Sequence, residues 1–227
     1  MFYDPTFVLL IPAILLGIWA QWSVNSSFKK WSKVPSARGL TGAQAARMVL
    51  DRAGLHDVRI EGIHGKLSDH YDPRDRVLRL SPDVGNSNSL AAVGVAAHEA
   101  GHALQHAQGY VPLAIRSRLV PVASLGSTLL WPLVIGGFLF QIPILLKIGI
   151  VLYAFAVLFH LVTLPVEFNA SARAIRVLSD TGILVESEIG GAKKVLSAAA
   201  MTYVAATLVA IIELVRLVLL SGMGRDD

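Results

Sequence analysis

Cysteine is absent from all 227 residues, so no disulfide staples the chain, and its composition fits a reducing compartment. Charge is also scarce: 16% of residues are charged against 54% hydrophobic, and the mean hydropathy is +0.58. A soluble domain of this length has no need of so much apolar residue for its core. The composition therefore excludes an ordinary soluble globule and points to an integral membrane protein. No basic stripe interleaved with aromatics is present, so the excess of 20 Lys and Arg over 16 Asp and Glu gives no reason to expect a nucleic-acid partner.

The uncharged stretches locate four spans. One lies between Asp4 and Lys29, one between Arg118 and Lys147, one from Ile148 to Val166, and the last from about Val195 onward. Each is long enough to cross ~30 Å of hydrocarbon as a helix. Gln141-Ile142-Pro143 is all that parts the second from the third, which predicts a tight helical hairpin. The fourth carries Glu213 and Arg216 one turn apart, a pair that marks a helix end near the interface or an internal ion pair. The first span is preceded by Asp4 and followed by Lys29, Lys30 and Lys33, so it reads as an uncleaved anchor with its N-terminus outside. Of the 20 basic residues, 13 lie between the first and second spans and four between the third and fourth. Only Lys147 and Arg225 fall on the opposite side, with Arg216 inside the last span. This asymmetry predicts that both polar segments face the cytoplasm.

What the chain does have is His98-Glu99-Ala100-Gly101-His102. On a helix, four-residue spacing stacks the two imidazoles on one face, where each can offer a ring nitrogen to one Zn²⁺. Glu99 would lie beside the ion, placed to take a proton from a water whose pKa the metal lowers to roughly 7 and to return one to a departing amine. The run Leu90 to Gln108 predicts the helix, with Asn86-Ser87-Asn88-Ser89 to cap it and Gly109 to stop it. His106 sits four residues past His102 and could form a rival pair, but His98 and His106 are about two turns, roughly 12 Å, apart and cannot share an ion. Only the first pair encloses a glutamate, so His106 reads as a supporting or merely helix-facing residue.

Upstream, Thr41-Gly42-Ala43-Gln44 has capping-box spacing and opens an amphipathic helix that ends at Gly54. Val58 to Ile63 and Val77 to Leu80 alternate as strands do, and Asp72-Pro73-Arg74-Asp75 supplies a turn, predicting a small antiparallel hairpin. Its edge could bind an extended substrate by strand addition, or the hairpin could simply cover the metal helix. His56, His64 and His70 in this region are not in ligand spacing with one another.

A catalytic zinc needs a third protein ligand and an open fourth position. Glu167 follows Pro165 where the third span ends and begins a predicted helix with small residues at Ala170, Ser171 and Ala174. Ala97 and Gly101 are small on the metal helix, so two such faces can close enough for a glutamate on one to reach an ion on the other. Glu167 is favoured on these grounds over Glu186, Glu188 or a histidine.

These residues carry a resemblance. The chain resembles the YugP-type family of bacterial membrane zinc metallopeptidases, and its layout is similar to the wider HtpX-like membrane gluzincins. The likeness runs through an N-terminal anchor, Asp69-His70-Tyr71-Asp72-Pro73-Arg74, Val77-Leu78-Arg79-Leu80-Ser81-Pro82, Ala96-Ala97-His98-Glu99-Ala100-Gly101-His102-Ala103, a hydrophobic hairpin, and Leu164-Pro165-Val166-Glu167-Phe168-Asn169. In HtpX-like enzymes a glutamate after the intervening spans completes a His, His, Glu zinc site. The resemblance thus implies His98, His102 and Glu167 as ligands and Glu99 as base and acid. Those enzymes usually carry an aspartate four residues after the ligand glutamate, where this chain has Ser171. Support for the histidines then falls to Asn169 or Ser171, and the group that stabilises the oxyanion is open.

The resulting expectation is a mainly α membrane protein of about four transmembrane helices with a small α+β zincin-like domain containing a short β-hairpin. Its parts are an anchor at 5–24, a first metalloprotease half at 39–110, a transmembrane hairpin at 119–166, a second half at 167–198, and a C-terminal span at 199–222. The expected activity is zinc-dependent endopeptidase action on membrane or juxtamembrane proteins at the cytoplasmic side. The alternative is a catalytically silent, zinc-stabilised membrane scaffold or assembly partner. The expected partners are the lipid bilayer, protein substrates and an unidentified membrane protein.

Overall fold

The computed structural model describes residues 5–66 and 68–223. Asp4 and Arg225, which enter the charge argument, lie outside the described residues. After a 3₁₀ turn at Pro5–Leu10 come helices α1 (Ile11–Trp31) and α2 (Gly42–Arg52), strands β1 (Arg59–Gly62), β2 (His70–Asp72) and β3 (Val77–Leu80), then a one-turn helix α3 (Pro82–Gly85). Four helices complete the chain: α4 (Leu90–Ala107), α5 (Val111–Leu139), α6 (Pro143–Asp180) and α7 (Glu186–Met223). The protein is thus mainly α with a small β part, and four of its helices are long and apolar enough to cross a membrane.

Two units divide these elements. Of the described residues, the first comprises 5–20, 112–165 and 202–223. Its α5 and α6 segments turn on Gln141, whose φ of +55° closes the hairpin after Leu139. Gly126 brings the two backbones together: a Cβ there would stand 2.2 Å from Leu152 O, so only glycine permits this approach, in the manner of small-residue contacts between membrane helices. Leu130, Val134, Leu146 and Leu217 form its buried cluster. Trp131, Ile135, Val151 and Leu158 face outward, as a surface solvated by lipid tails allows. Glu213 and Arg216 are both buried and bonded to each other, Nη1 lying 2.7 Å and 2.6 Å from Oε1 and Oε2, which makes them an internal ion pair.

The second unit comprises residues 21–111 and 166–201. Thr41 caps α2 through the expected reciprocal box with Gln44, and Gly54 follows its end at φ +73°. Ser89 caps α4 by accepting from Ala92 N, and Gly109 at φ +62° lies just past its end. A core of Val49, Leu50, Leu78, Leu90, Leu178, Ile183 and Leu184 holds helices and sheet together.

The sheet departs from the expected two-stranded hairpin. It has three strands in the order β1-β3-β2, with β1 parallel to β3 (Ile60 opposite Leu78) and β2 antiparallel to it (Tyr71 opposite Leu78). The Asp72 turn is too short to return a chain arriving from residue 62, so it joins β3 to β2. The loop between β1 and β2 carries the chain back, which leaves β1 parallel. Helix α6 departs likewise, since no new helix begins at Glu167 and Pro165 lies inside one continuous helix. Proline removes a single backbone donor, a local loss that a long packed helix absorbs.

Candidate metal centre

All the residues of interest fall in the second unit. Helix α4 is rich in alanine and glycine where it meets α6, and at Gly101 the approach is close: a Cβ there would stand 2.7 Å from Ala170 O. Side-chain volume at this contact would hold the helices apart. With none, Glu167, one turn before Ala170, reaches the histidines of α4. The expectation that small faces would close on one another is met at Gly101 and Ala170.

His98 Nε2 lies 3.2 Å and His102 Nε2 3.7 Å from Glu167 Oε2. Their rings stand edge to face, centroids 4.8 Å apart. One donor atom from each of the three residues falls within 4.8 Å of the others, the one such trio among the described residues. Glu167 is 2% exposed and His102 8%. Two imidazole nitrogens and a carboxylate oxygen are a zinc donor set. Ligand atoms ~2.0–2.1 Å from a tetrahedral ion stand roughly 3.3 Å apart, so the contacts to Glu167 Oε2 fit such an ion.

The far nitrogens are also provided for. His98 Nδ1 lies 3.0 Å from Ser171 Oγ, and His102 Nδ1 lies 3.0 Å from Gln105 Oε1. Because an amide oxygen only accepts, His102 carries its proton on Nδ1 and turns the Nε2 lone pair inward. Gln105 is fully buried and donates from Nε2 to Val166 O at 2.8 Å and to Asn169 Oδ1 at 3.0 Å. Arg173 Nε donates to the same Asn169 oxygen at 2.6 Å, and its Nη1 donates to Gln108 Oε1. The His102 ring is thus tied through two amides to a guanidinium on α6.

Ser171, at the position where an aspartate was expected by resemblance, is in contact with a histidine, whereas Asn169 acts only through Gln105. Gln105 and Arg173 went unread in the sequence. Their signal was spacing: Gln105 is three residues past His102 and Arg173 four past Asn169, each on the same helix face as its partner.

Glu99 is partly buried, and no hydrogen bond to its carboxylate is found among the described residues. Burial pushes its pKa above the ordinary carboxylate value, against the opposing charges of His98 and His102. For His102 burial acts downward, but the bond to Glu167 and the charges of Glu99 and Glu167 carry its pKa above the usual histidine value.

The other candidates stand apart from this cluster. Glu188 accepts from Ala37 N at 2.6 Å and Val185 N at 3.0 Å, and Glu186 is an exposed residue of the first turn of α7. His56 pairs with Asp51, His70 Nδ1 lies 2.8 Å from Ser68 O, and His106 Nδ1 lies 2.9 Å from Tyr71 OH. That last contact ties β2 to the end of α4. His64 is exposed.

A His, His, Glu cluster able to hold a metal, with a further glutamate on the same turn and four apolar helices in the chain, points to a membrane metalloprotein, and the family of the chain is in keeping with it. The sequence profile described as "Putative neutral zinc metallopeptidase" matches residues 6–222, and the chain belongs to that family. It is 48% identical over 219 residues to the "Putative membrane protease YugP" of Bacillus subtilis (strain 168), covering 96% of this chain and 97% of that protein. No solved structure matches.

Proposed function

We propose that this chain is a zinc-dependent endopeptidase that cleaves membrane or juxtamembrane proteins at the cytoplasmic face. The observation that carries the reading is the convergence of His98 Nε2, His102 Nε2 and Glu167 Oε2, with Glu99 beside them and without a hydrogen-bond partner among the described residues. His98, His102 and Glu167 would hold the zinc. When bound, the metal polarises the scissile carbonyl and acidifies water. Glu99 takes the proton from the attacking water on its carboxylate and delivers it to the nitrogen of the departing amine. Its raised pKa suits both halves of this exchange, because the protonated form must persist long enough to act as an acid. Gln105 holds the His102 imidazole in the tautomer that leaves Nε2 available, and Ser171 orients the His98 ring through Nδ1. An unpartnered base has no use in a site that serves only to stabilise a fold, which favours an enzyme over a silent scaffold. Strand β2 is a sheet edge tied to α4 through Tyr71 and His106, and supports pairing with an extended substrate.

Comparing new protein N-termini in membranes from cells carrying the wild type and Glu99→Gln tests the activity. N-termini present only with the wild type are expected, and identical sets would contradict it. The sidedness rests on the distribution of the basic residues. With no native thiol, an exposed Arg52→Cys variant carries the chain's single cysteine. It should resist an impermeant thiol reagent in intact cells and react after lysis, and labelling of intact cells would place this segment outside.

A further inference from the structure

In the second unit, the end of α1 and the beginning of α7 enclose a groove of about 620 Å³, remote in sequence from the metal motif. Its chemistry is one-sided. Lys30, Lys193 and Lys194 line it together with the hydroxyls of Ser23, Ser26, Ser27 and Ser197, and no carboxylate is among its walls. No ion pair to these three lysines is found among the described residues, and all three are exposed. Three ammonium groups facing one cavity repel each other, a cost that an anion in the groove would remove.

The groove is also built at a particular level along its helices. It sits where each passes from its apolar stretch to its charged end: Trp22 to Lys30 on α1, and Lys193 to Met201 on α7. The apolar members, Trp22, Ala198 and Met201, are at the ends nearer those apolar stretches. Trp22, 66% exposed, has the character of an interfacial tryptophan. The indole of Trp31 lines the groove, with Lys30 Nζ 5.3 Å and Lys194 Nζ 5.7 Å from its ring centroid. Gly191 makes this possible, because a Cβ there would stand 2.8 Å from the Trp31 ring. The missing side chain lets the indole lie against α7 and gathers lysines from two helices around it.

From this arrangement we infer that the groove is a binding site for the headgroup of an anionic phospholipid, with the phosphate among Lys30, Lys193, Lys194 and the serine hydroxyls, and the first acyl carbons against Trp22 and Met201. Charge complementarity selects the anion, and the order of polar and apolar residues along both helices selects a lipid over a free ion. The site would fix α1 and α7 against each other at the membrane surface by an annular lipid that this chain recognises specifically.

The test uses the purified full-length chain in a mild detergent, with lipid adducts counted by native mass spectrometry as dioleoyl phosphatidylglycerol or dioleoyl phosphatidylcholine is added. The wild type should retain one phosphatidylglycerol at concentrations where phosphatidylcholine is not retained. The triple variant Lys30→Ala, Lys193→Ala, Lys194→Ala should need about a hundred-fold more phosphatidylglycerol, since each lysine beside an anionic lipid surface contributes about five-fold. Three cations outside the groove, Lys29, Lys66 and Arg52, changed together to Ala should leave retention at the wild-type level. Ser197→Glu, an exposed substitution that places a carboxylate in the groove, should weaken retention and guards against a triple variant that fails to fold. Zinc content measured on every variant reports separately on the metal centre. Equal retention of the two lipids, equal loss in the outside triple, or unchanged retention in Ser197→Glu would overturn the site. Displacement of the lipid by an equal concentration of inorganic phosphate would show a free-phosphate site instead and overturn the lipid assignment.

Discussion

Among the described residues, charge is buried in two places, and the two clusters are built differently. In the unit that holds α5, Glu213 and Arg216 lie one turn apart on one helix, and one carboxylate meets one guanidinium through two short bonds. Its charges cancel within the pair. In the other unit, Glu167 on α6 faces two imidazoles on α4, and the nitrogens turned toward it converge while those turned away are held by Ser171 and Gln105. A buried ion pair whose charges offset each other can often be exchanged for apolar residues at little cost. A cluster whose donor atoms converge on a common point, with the further carboxylate of Glu99 beside it, has the form of a cation site. The difference lies in where the lone pairs point.

The largest effect that tests this contrast is at Glu167. Glu167→Ala leaves two protein ligands and should abolish both tight zinc binding and proteolysis, while matching changes at Glu186 and Glu188 leave the zinc in place. Metal analysis of the purified protein decides it, and one zinc per chain at wild-type affinity in Glu167→Ala would place the third ligand elsewhere. Next come the residues behind the histidines. Gln105→Leu removes the acceptor at His102 and the tie to Val166 and should weaken zinc about 10–100-fold. Ser171→Ala should fall toward the lower end of that range, because it removes one contact to a less buried ring. Competition with a zinc chelator measures both, and unaltered affinity in Gln105→Leu would mean that the ring is held without it. The smallest effect on zinc is expected at the other cluster. Glu213→Gln removes the carboxylate bonded to a buried Arg216 and should cost stability by about 3–5 kcal/mol, while replacing both residues by Leu should cost far less. Unfolding in detergent reads the difference, and zinc stoichiometry should be unchanged in both.

How much of this could be read from the sequence depended on the range of the interaction. Helix caps are local, so Thr41 with Gln44, Ser89, Gly54 and Gly109 were legible from a few neighbouring residues. The His98 and His102 pair was legible because four-residue spacing on a helix is itself a geometry. Glu167 lies 69 residues from His98, and only the small faces of two helices hinted at their approach. Strand pairing is non-local, and a three-residue strand such as His70–Asp72 has too few positions to show alternation, so β1 and β3 were legible as strands while β2 and the parallel pairing of β1 were not. Pro165 suggested a helix start that packing overrode. Gln105 was hidden because a glutamine on a helix is ordinarily a solvated residue, and nothing in its neighbours announces that it is wholly buried.

The central claim is that Glu99 performs chemistry at a site the other three residues build. Glu99→Gln keeps the shape of the side chain and removes the base, so the purified variant should carry one zinc per chain at wild-type affinity while cleavage falls by about 10²–10⁴-fold. Cleavage near the wild-type rate by a fully zinc-loaded Glu99→Gln protein would contradict the account.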